Sequence, residues 1–243
     1  MSEMIAGRNP VREALRAGRP INKIVAAKGA NTGPMGEIIK LAREGNIPIQ
    51  TVERSHLDKL VGNTSHQGII AYAAAKEYVE VEDILQIARS RGEEPFIVML
   101  DEINDPHNLG AILRTVDAAG AHGVIIPQRR SVALTSTVAK ASAGAVEYVP
   151  VARVTNLDQT LRMLKEEGLW VVGADMEGPE VYWQANLTGP LLLVIGGEGK
   201  GIGRLIRERC DLLVRLPMAG RVGSLNASVA AALLVYEVVR QRG

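Results

Sequence analysis

From residue 95 onward the chain alternates short apolar runs with stretches of helical spacing, and few folds accept that pattern. Residues 96–100 (FIVML) are apolar without interruption, as suits a strand covered on both faces. Further strand-like runs fall at 123–126, 146–151, 169–174, 191–195 and 212–216, with helical stretches at 109–119, 157–167 and 203–209. Apolar strands separated by helices predict an α/β domain: a mostly parallel sheet flanked by helices. The last helix, about 224–240, is apolar around most of its circumference. Such a helix must be buried on more than one side, in the core or against a second subunit.

The residues before 95 read differently. Residues 10–17 have helical spacing, with Asn9 as the expected N-cap, Pro10 at the first helical position and Gly18 as the stop. Strand-like runs at 23–27, 47–52 and 68–74 alternate with helical stretches at 35–44 and 55–61. The sequence thus divides into a small α/β domain over 1–75, a charged connection at 76–93 and a larger domain over 94–243. Residues 1–75 carry 10 basic and 6 acidic side chains, net +4, whereas 94–243 carry 15 and 16, net −1. A basic block ahead of a near-neutral remainder suits a module that faces nucleic acid.

Composition narrows the partners. Eight aromatic residues in 243 argue against a surface that binds mainly by stacking bases on rings. A single cysteine, Cys210, excludes a disulfide framework and a thiolate metal cluster, and predicts a reducing, cytoplasmic setting. The four histidines (His56, His66, His107, His122) lack metal-site spacing, so no metal is expected. The longest apolar run, 229–236, is too short to span a bilayer, and the N-terminal MSEMIAGRNP lacks the apolar centre of a secretory signal. No membrane partner is expected.

Three loops follow strands and are rich in small and polar residues: 101–115, 195–202 and 216–228. Ligands of open α/β sheets collect where strands end, which makes all three candidates. The middle loop fits neither familiar phosphate motif. Lys200 is followed by Gly201 rather than a hydroxyl residue, so it is no P-loop, and the glycines fall out of step with a dinucleotide fingerprint.

Taken in order, Asn108-Leu-Gly-Ala-Ile-Leu-Arg114, Val194-Ile-Gly-Gly-Glu-Gly199, and Leu216-Pro-Met-Ala-Gly220 with Ser224-Leu-Asn-Ala-Ser228 resemble the three motifs of the SpoU/TrmH methyltransferases, in the SPOUT superfamily. Ile5-Ala-Gly-Arg-Asn-Pro-Val-Arg-Glu-Ala-Leu15 and His66-Gln-Gly-Ile-Ile-Ala71 resemble the ribosomal-protein-like RNA-binding domain that precedes this catalytic domain in some members. The resemblance implies a knotted, deep-trefoil C-terminal domain in which the chain after Ile195 threads an earlier loop. It implies S-adenosylmethionine as methyl donor, no metal, and a homodimer. The implied acceptor is a ribose 2′-hydroxyl of ribosomal RNA, a guanosine of 23S rRNA; transfer RNA, or RNA binding without catalysis, are the alternatives.

Residue by residue, the resemblance places the cofactor against Gly196, Leu216 and Leu225, with Ala174 and Met218 beside them, where core packing is the competing role for both leucines. It assigns the chemistry to Arg114, Asn108, Glu198, Ser224 and Asn226. A guanidinium stays protonated at ordinary pH, so Arg114 is better suited to clamping phosphate and ribose than to acting as a free base. Asn108 is expected to cap its helix, hold its loop or touch the nucleotide; Glu198, to anchor its loop or orient an Arg114. Ser224, Asn226 and Ser228 fall where the last helix begins, where capping competes with substrate positioning. Arg8, Arg12 and Arg19 are candidates for RNA phosphates. His66 and His107 lie in polar loops, exposed to solvent or to RNA.

Overall fold

The computed structural model describes residues 2–29, 33–62 and 65–243, which group into two compact units: 1–77 with 134–148, and 78–133 with 149–243. The chain begins with β1 (Ser2–Ala6), α1 (Arg8–Arg16), β2 (Ile21–Ala27), α2 (Pro34–Glu44), β3 (Ile49–Val52), α3 (Arg54–Val61) and β4 (Ile69–Ala74). These strands form one sheet in the order β1-β4-β2-β3, in which β2 and β3 run parallel and the other pairs antiparallel. Alternation along β2 and β4 serves two cores. Ile24, Ile69 and Ala71 meet α1 and α2 through Val11, Ala14, Met35 and Ile38. Val25 and Ile70 point the other way, onto Leu57 of α3.

The second unit starts at α4 (Val81–Arg91), closed by a reciprocal cap between Glu80 and Asp83. Next come β5 (Phe96–Asp101), α5 (Pro106–Ala119) and β6 (Gly123–Pro127). The chain then leaves for the first unit with α6 (Ser136–Ala141) and a 3₁₀ turn, Ala145–Glu147. It returns with β7 (Val151–Val154), α7 (Leu157–Glu166), β8 (Trp170–Ala174), β9 (Glu180–Val181), β10 (Leu191–Gly196), α8 (Arg204–Arg209), β11 (Leu212–Arg215) and α9 (Ala227–Arg242).

Seven strands in the order β7-β6-β5-β10-β8-β11-β9, all parallel, make the second sheet. All of β5 is buried, as its unbroken apolar run requires. Ile97, Met99, Leu192 and Val194 face a core closed by Ile84, Leu161 and Ile206. Helices α5 and α9 pack together on the opposite face. The chain runs outward from β5 through β6 to β7, then crosses to β8 on the far side of β10. The direction therefore reverses between β5 and β10, where an open parallel sheet leaves a crevice at its carboxyl edge.

Residues 134–148 lie between β6 and β7 in the chain but complete the first unit. Arg19 explains part of this. Its side chain is almost wholly buried and bridges Glu3 (2.6 Å) and Glu147 (2.7 Å), so it holds the unit together and is not available to RNA phosphates. Tyr148 donates to Glu13 at 2.7 Å, and Lys76 donates to the Glu147 carbonyl at 2.8 Å. Gly144, at φ 99°, comes so close to Glu13 that a side chain there would overlap it.

Several local expectations are corrected. Helix α1 begins at Arg8 with Gly7 at its N-cap, so Asn9 and Pro10 lie inside the first turn. The run 146–151 is not one strand, since Val146 sits in the 3₁₀ turn and β7 starts only at Val151. Strands β1 and β9 and helix α6 were not apparent from pattern. Among the described residues no helix is long and apolar enough to cross a membrane, and no group of three or more His, Cys, Asp or Glu is placed to hold a metal.

Candidate functional site

The crevice at the strand ends holds a cavity of about 300 Å³. Its walls come from residues after β8 (Ala174 to Glu177), after β10 (Ile195 to Gly201), after β11 (Leu216, Met218) and from the approach to α9 (Ser224, Leu225). The five residues expected at a cofactor, Gly196, Leu216, Leu225, Ala174 and Met218, thus line one space, although they are spread over residues 174–225 of the sequence.

Its floor depends on the glycine loop folding back on itself. Gly201 donates to the Gly197 carbonyl at 3.0 Å, and the two form an isolated bridge. A Cβ on Gly196 would run into the backbone of Gly201 and Ile202, so this position admits no side chain. Asp101, at the end of β5, fixes the far end of the loop by accepting from the Gly203 N–H at 2.8 Å. Burial pushes the Asp101 carboxyl above the usual range; the Gly203 bond opposes this and Glu102 adds to it. Sequence reading assigned Asp101 no role, because one acid at a strand end has no distinguishing pattern. Arg207 is the second such residue: it lines the cavity and pairs with Asp175 (3.2 Å) and Glu177 (3.1 Å).

Asn108, Glu198 and Asn226 meet in a closed triangle beside this cavity. Glu198 Oε1 accepts from Asn108 Nδ2 at 2.9 Å and from Asn226 Nδ2 at 2.5 Å, and Asn226 Nδ2 also donates to Asn108 Oδ1 at 2.9 Å. The Asn226 oxygen is left to cap α9, accepting from the N–H groups of Ser228 and Val229. One carboxylate oxygen therefore ties α5, the glycine loop and α9 together. Asn108 is no cap: Asp105 caps α5, accepting from the His107 N–H at 2.8 Å, while Asn108 is buried one turn in. Ser224 lines the cavity and Asn226, not Ser224, caps the helix.

Arg114 stands apart. It is exposed on α5, does not line the cavity, and makes no hydrogen bond or ion pair among the described residues. Near it α9 carries an exposed apolar stripe, Val229, Leu233 and Tyr236, spaced along one face, while Ala231, Leu234, Val235 and Val238 fill the unit's own core. Ala111 and Thr115 of α5 share a shallow groove with that stripe.

The histidines are structural or solvated. His66 is 3% exposed, accepts the Gly68 N–H on Nδ1 at 3.0 Å and pairs with Asp58 through Nε2 at 2.8 Å. It is neither in solvent nor open to RNA. His122 is built alike, with the Phe96 N–H on Nδ1 and Glu93 on Nε2; His107 is exposed.

Comparison with known proteins decides what this arrangement belongs to. The profile of the SpoU rRNA Methylase family matches residues 95–236, and that for RNA 2′-O ribose methyltransferase substrate binding matches residues 4–79. The chain belongs to the SpoU rRNA methylase family. A Bacillus subtilis protein, YacO, provisionally named as a TrmH family tRNA/rRNA methyltransferase, is 52% identical over 99% of this chain and 96% of its own. The SpoU methyltransferase AviRb of Streptomyces viridochromogenes, solved in complex with the cofactor AdoMet, superposes with a TM-score of 0.82 at 25% identity, covering 99% of this chain and 90% of that one. The TrmH/SpoU tRNA modifying enzyme of A. aeolicus superposes over 66% of this chain and 83% of its own, with a TM-score of 0.56 at 30% identity. This SpoU-family RNA methyltransferase thus brings four of its five candidate catalytic residues to one cavity or its edge and leaves the fifth, Arg114, outside it.

Proposed function

We propose that this chain transfers a methyl group to a ribose 2′-hydroxyl of ribosomal RNA, at a guanosine of 23S rRNA, with S-adenosylmethionine as donor. One observation carries the reading: the segments that follow β8, β10 and β11 close a single cavity at the reversal point of the sheet, and Glu198 belongs both to that cavity and to the asparagine triangle that ties in α5. The residues fit the donor. Ile195, Leu216 and Leu225 offer apolar walls for a purine, Gly196 lets the Gly201 and Ile202 backbone close on it to form the floor, and the Glu198 carboxylate, which has no ion pair among the described residues, favours a positive charge. When bound, S-adenosylmethionine supplies a methyl group on a cationic sulfur and most of the driving force.

The protein's own residues then have three tasks. Gly196, Leu216, Leu225, Ala174 and Met218 hold the donor. Asn108, Glu198 and Asn226 fix α5 and α9 against the glycine loop, and Ser224 faces the space where ribose must enter. Arg114 stays protonated and clamps the phosphate and ribose of the acceptor, so the hydroxyl proton leaves to a phosphate oxygen or a nearby group. Because Arg114 lies outside its own cavity, we read it as serving the cavity of a second copy, paired through the apolar stripe of α9. Arg8 and Arg12 contact RNA from the first unit. The threading of the chain after Ile195 through an earlier loop, and a cytoplasmic place of work, belong to the same reading.

Incubation with S-adenosylmethionine labelled in its methyl group, with 23S rRNA and bulk tRNA offered separately, tests it. A label at a guanosine of 23S rRNA that protects the adjoining linkage from alkaline cleavage is the expected result. Label on tRNA alone would move the target, and label on a base would reject 2′-O chemistry.

A further inference from the structure

We infer that the first unit holds a cradle for one RNA backbone phosphate, built by Arg8, Arg12 and Arg54, which binds RNA without regard to base sequence. The inference rests on the reading that this chain acts on RNA and names the surface of the first unit that meets it. A groove of about 420 Å³ is lined by Arg8, Asn9, Arg12, Pro34, Arg54 and Gln67. Three guanidiniums border it and, among the described residues, no carboxylate lines it. That separates it from the cavities of the second unit, where Arg129, Arg130 and Arg204 share a wall with Asp101, Glu102 and Asp158, and Arg207 with Asp175 and Glu177.

The donors are available. Arg54 is exposed and makes no hydrogen bond or ion pair among the described residues. Arg12 is tied to Glu13 through Nε (2.8 Å) and its Nη1 lies 4.0 Å from Glu37, which leaves Nη2 without a hydrogen bond or ion pair among the described residues. Arg8 is held at two points by one residue: its backbone N–H donates to Gln67 Oε1 at 2.9 Å and its Nε to the Gln67 carbonyl at 3.1 Å. Both terminal nitrogens of Arg8 remain for a ligand.

The groove is also preorganised from below. Gln67 can grip Arg8 because its backbone sits in the left-handed region, φ 51°. The buried His66 ring secures that turn, taking the Gly68 N–H on one nitrogen and Asp58 on the other. This gives His66 a function that its loop sequence did not reveal. The first residues of α1, α2 and α3 all lie on the groove, and none of the three helices has a side-chain cap. Their backbone dipoles add to the positive potential set by the arginines. A planar fork of donors matches phosphate oxygens, and three forks converging on one groove suit a single phosphate better than a base edge, which one fork alone would read; the neutral amide readers are Asn9 and Gln67, and Gln67 Oε1 is already engaged.

The test uses the full chain and two RNA duplexes of equal length and unrelated sequence, with Arg54→Ala, Arg8→Ala and Arg54→Lys. The alanine variants should weaken binding to both duplexes by the same factor, and the slope of log affinity against log salt should fall by roughly one contact, about 0.7–1. Arg54→Lys should restore part of the affinity. Melting temperature and S-adenosylmethionine affinity should match wild type. Wild-type slope and affinity in both alanine variants would overturn the cradle, as would a loss confined to one sequence or no binding of either duplex by the wild type. Methyl transfer to 23S rRNA is scored in parallel. Transfer with neutral arginine variants sinks the cradle alone, whereas a working cradle without transfer sinks the proposed function alone.

Discussion

At the residue scale, Glu198 is the position on which the most structure turns, since one oxygen accepts from two asparagines that anchor different helices. Glu198→Ala removes the acceptor of Asn108 Nδ2 and leaves Asn226 Nδ2 with its bond to Asn108 Oδ1 alone. Because the carboxylate is exposed, the cost should be about 1 kcal/mol, the low end for a lost acceptor, or a fall in Tm of about 2–4 °C for a chain of this size. Glu198→Gln keeps a carbonyl acceptor and should recover most of that loss, which differential scanning calorimetry can resolve. Equal melting of the two variants would show that charge, not the hydrogen bond, holds the triangle. Gly196→Ala should both destabilise the chain and abolish donor binding, because the added methyl meets the Gly201 and Ile202 backbone; Gly220→Ala, with open space around it, is the control that should do neither. The lone thiol is the opposite case. Burial, reinforced by Asp211, pushes Cys210 up to about 12, so iodoacetamide at pH 8 should leave it unmodified in the native protein and label it fully after denaturation. What sequence showed at this scale was the set of cavity residues, through ordered motifs. What it hid were Asp101, whose partner Gly203 is 102 residues away, Arg54, which shares a groove with residues remote in sequence, and His66, whose burial its polar loop sequence does not show.

At the element scale, legibility followed the strength of the local pattern. Strands β5 and β10 were evident because both faces are buried and every residue from 96 to 100 and 191 to 195 is apolar. Strand β1, SEMIA, has no such signature and exists because β4 pairs with it along its length. The expected strand at 146–151 breaks near Pro150, which has no N–H to give to a ladder. Helix α1 starts at Arg8 rather than after an Asn9 cap because Gln67, 59 residues away, satisfies the Arg8 N–H that a local cap would have taken. Helix α9, apolar around most of its circumference, divides into a core face and an exposed apolar stripe, with Glu237 on the buried side. That glutamate gives α9 a pH dependence. The hydrogen bond from Arg240 pulls its carboxyl below the usual value of 4.5, with Gln241 helping and burial opposing. A lowered folded pKa means that its contribution is full above the unfolded value and is lost as pH falls through the folded one. Glu237→Gln should therefore lower Tm at pH 7 and narrow its gap to wild type as the pH is taken below 4, a trend followed by circular dichroism. A gap that stays constant down to pH 3 would mean that the pair contributes nothing to folding.

At the scale of the whole molecule, two features depart from a simple string of domains. Residues 134–148 lie within the stretch of chain that matches the methylase profile, yet Val138, Ala139, Val146 and Glu147 are buried in the first unit. Deleting 1–75 outright would strip their partners and expose apolar surface, so that truncation should aggregate, whereas one that also replaces 134–148 with a short polar linker should stay in solution on size-exclusion chromatography. The second feature is Arg114, placed on α5 outside the cavity that the proposed function has it serve in a second copy. If two copies pair through Val229, Leu233 and Tyr236, each cavity receives the other's arginine. Two inactive variants should then complement. Arg114→Ala removes the clamp, and Leu225→Lys sets a cation in the cavity where a sulfonium must sit, at a half-exposed position that tolerates a polar side chain. A mixed dimer carries both defects at one site and neither at the other, so random exchange should restore up to about a quarter of wild-type activity, half the dimers being mixed and each having one intact site. Exchange is verified with differently tagged wild-type chains. If those exchange and the two variants together remain inactive, Arg114 acts within its own chain and the shared site is lost.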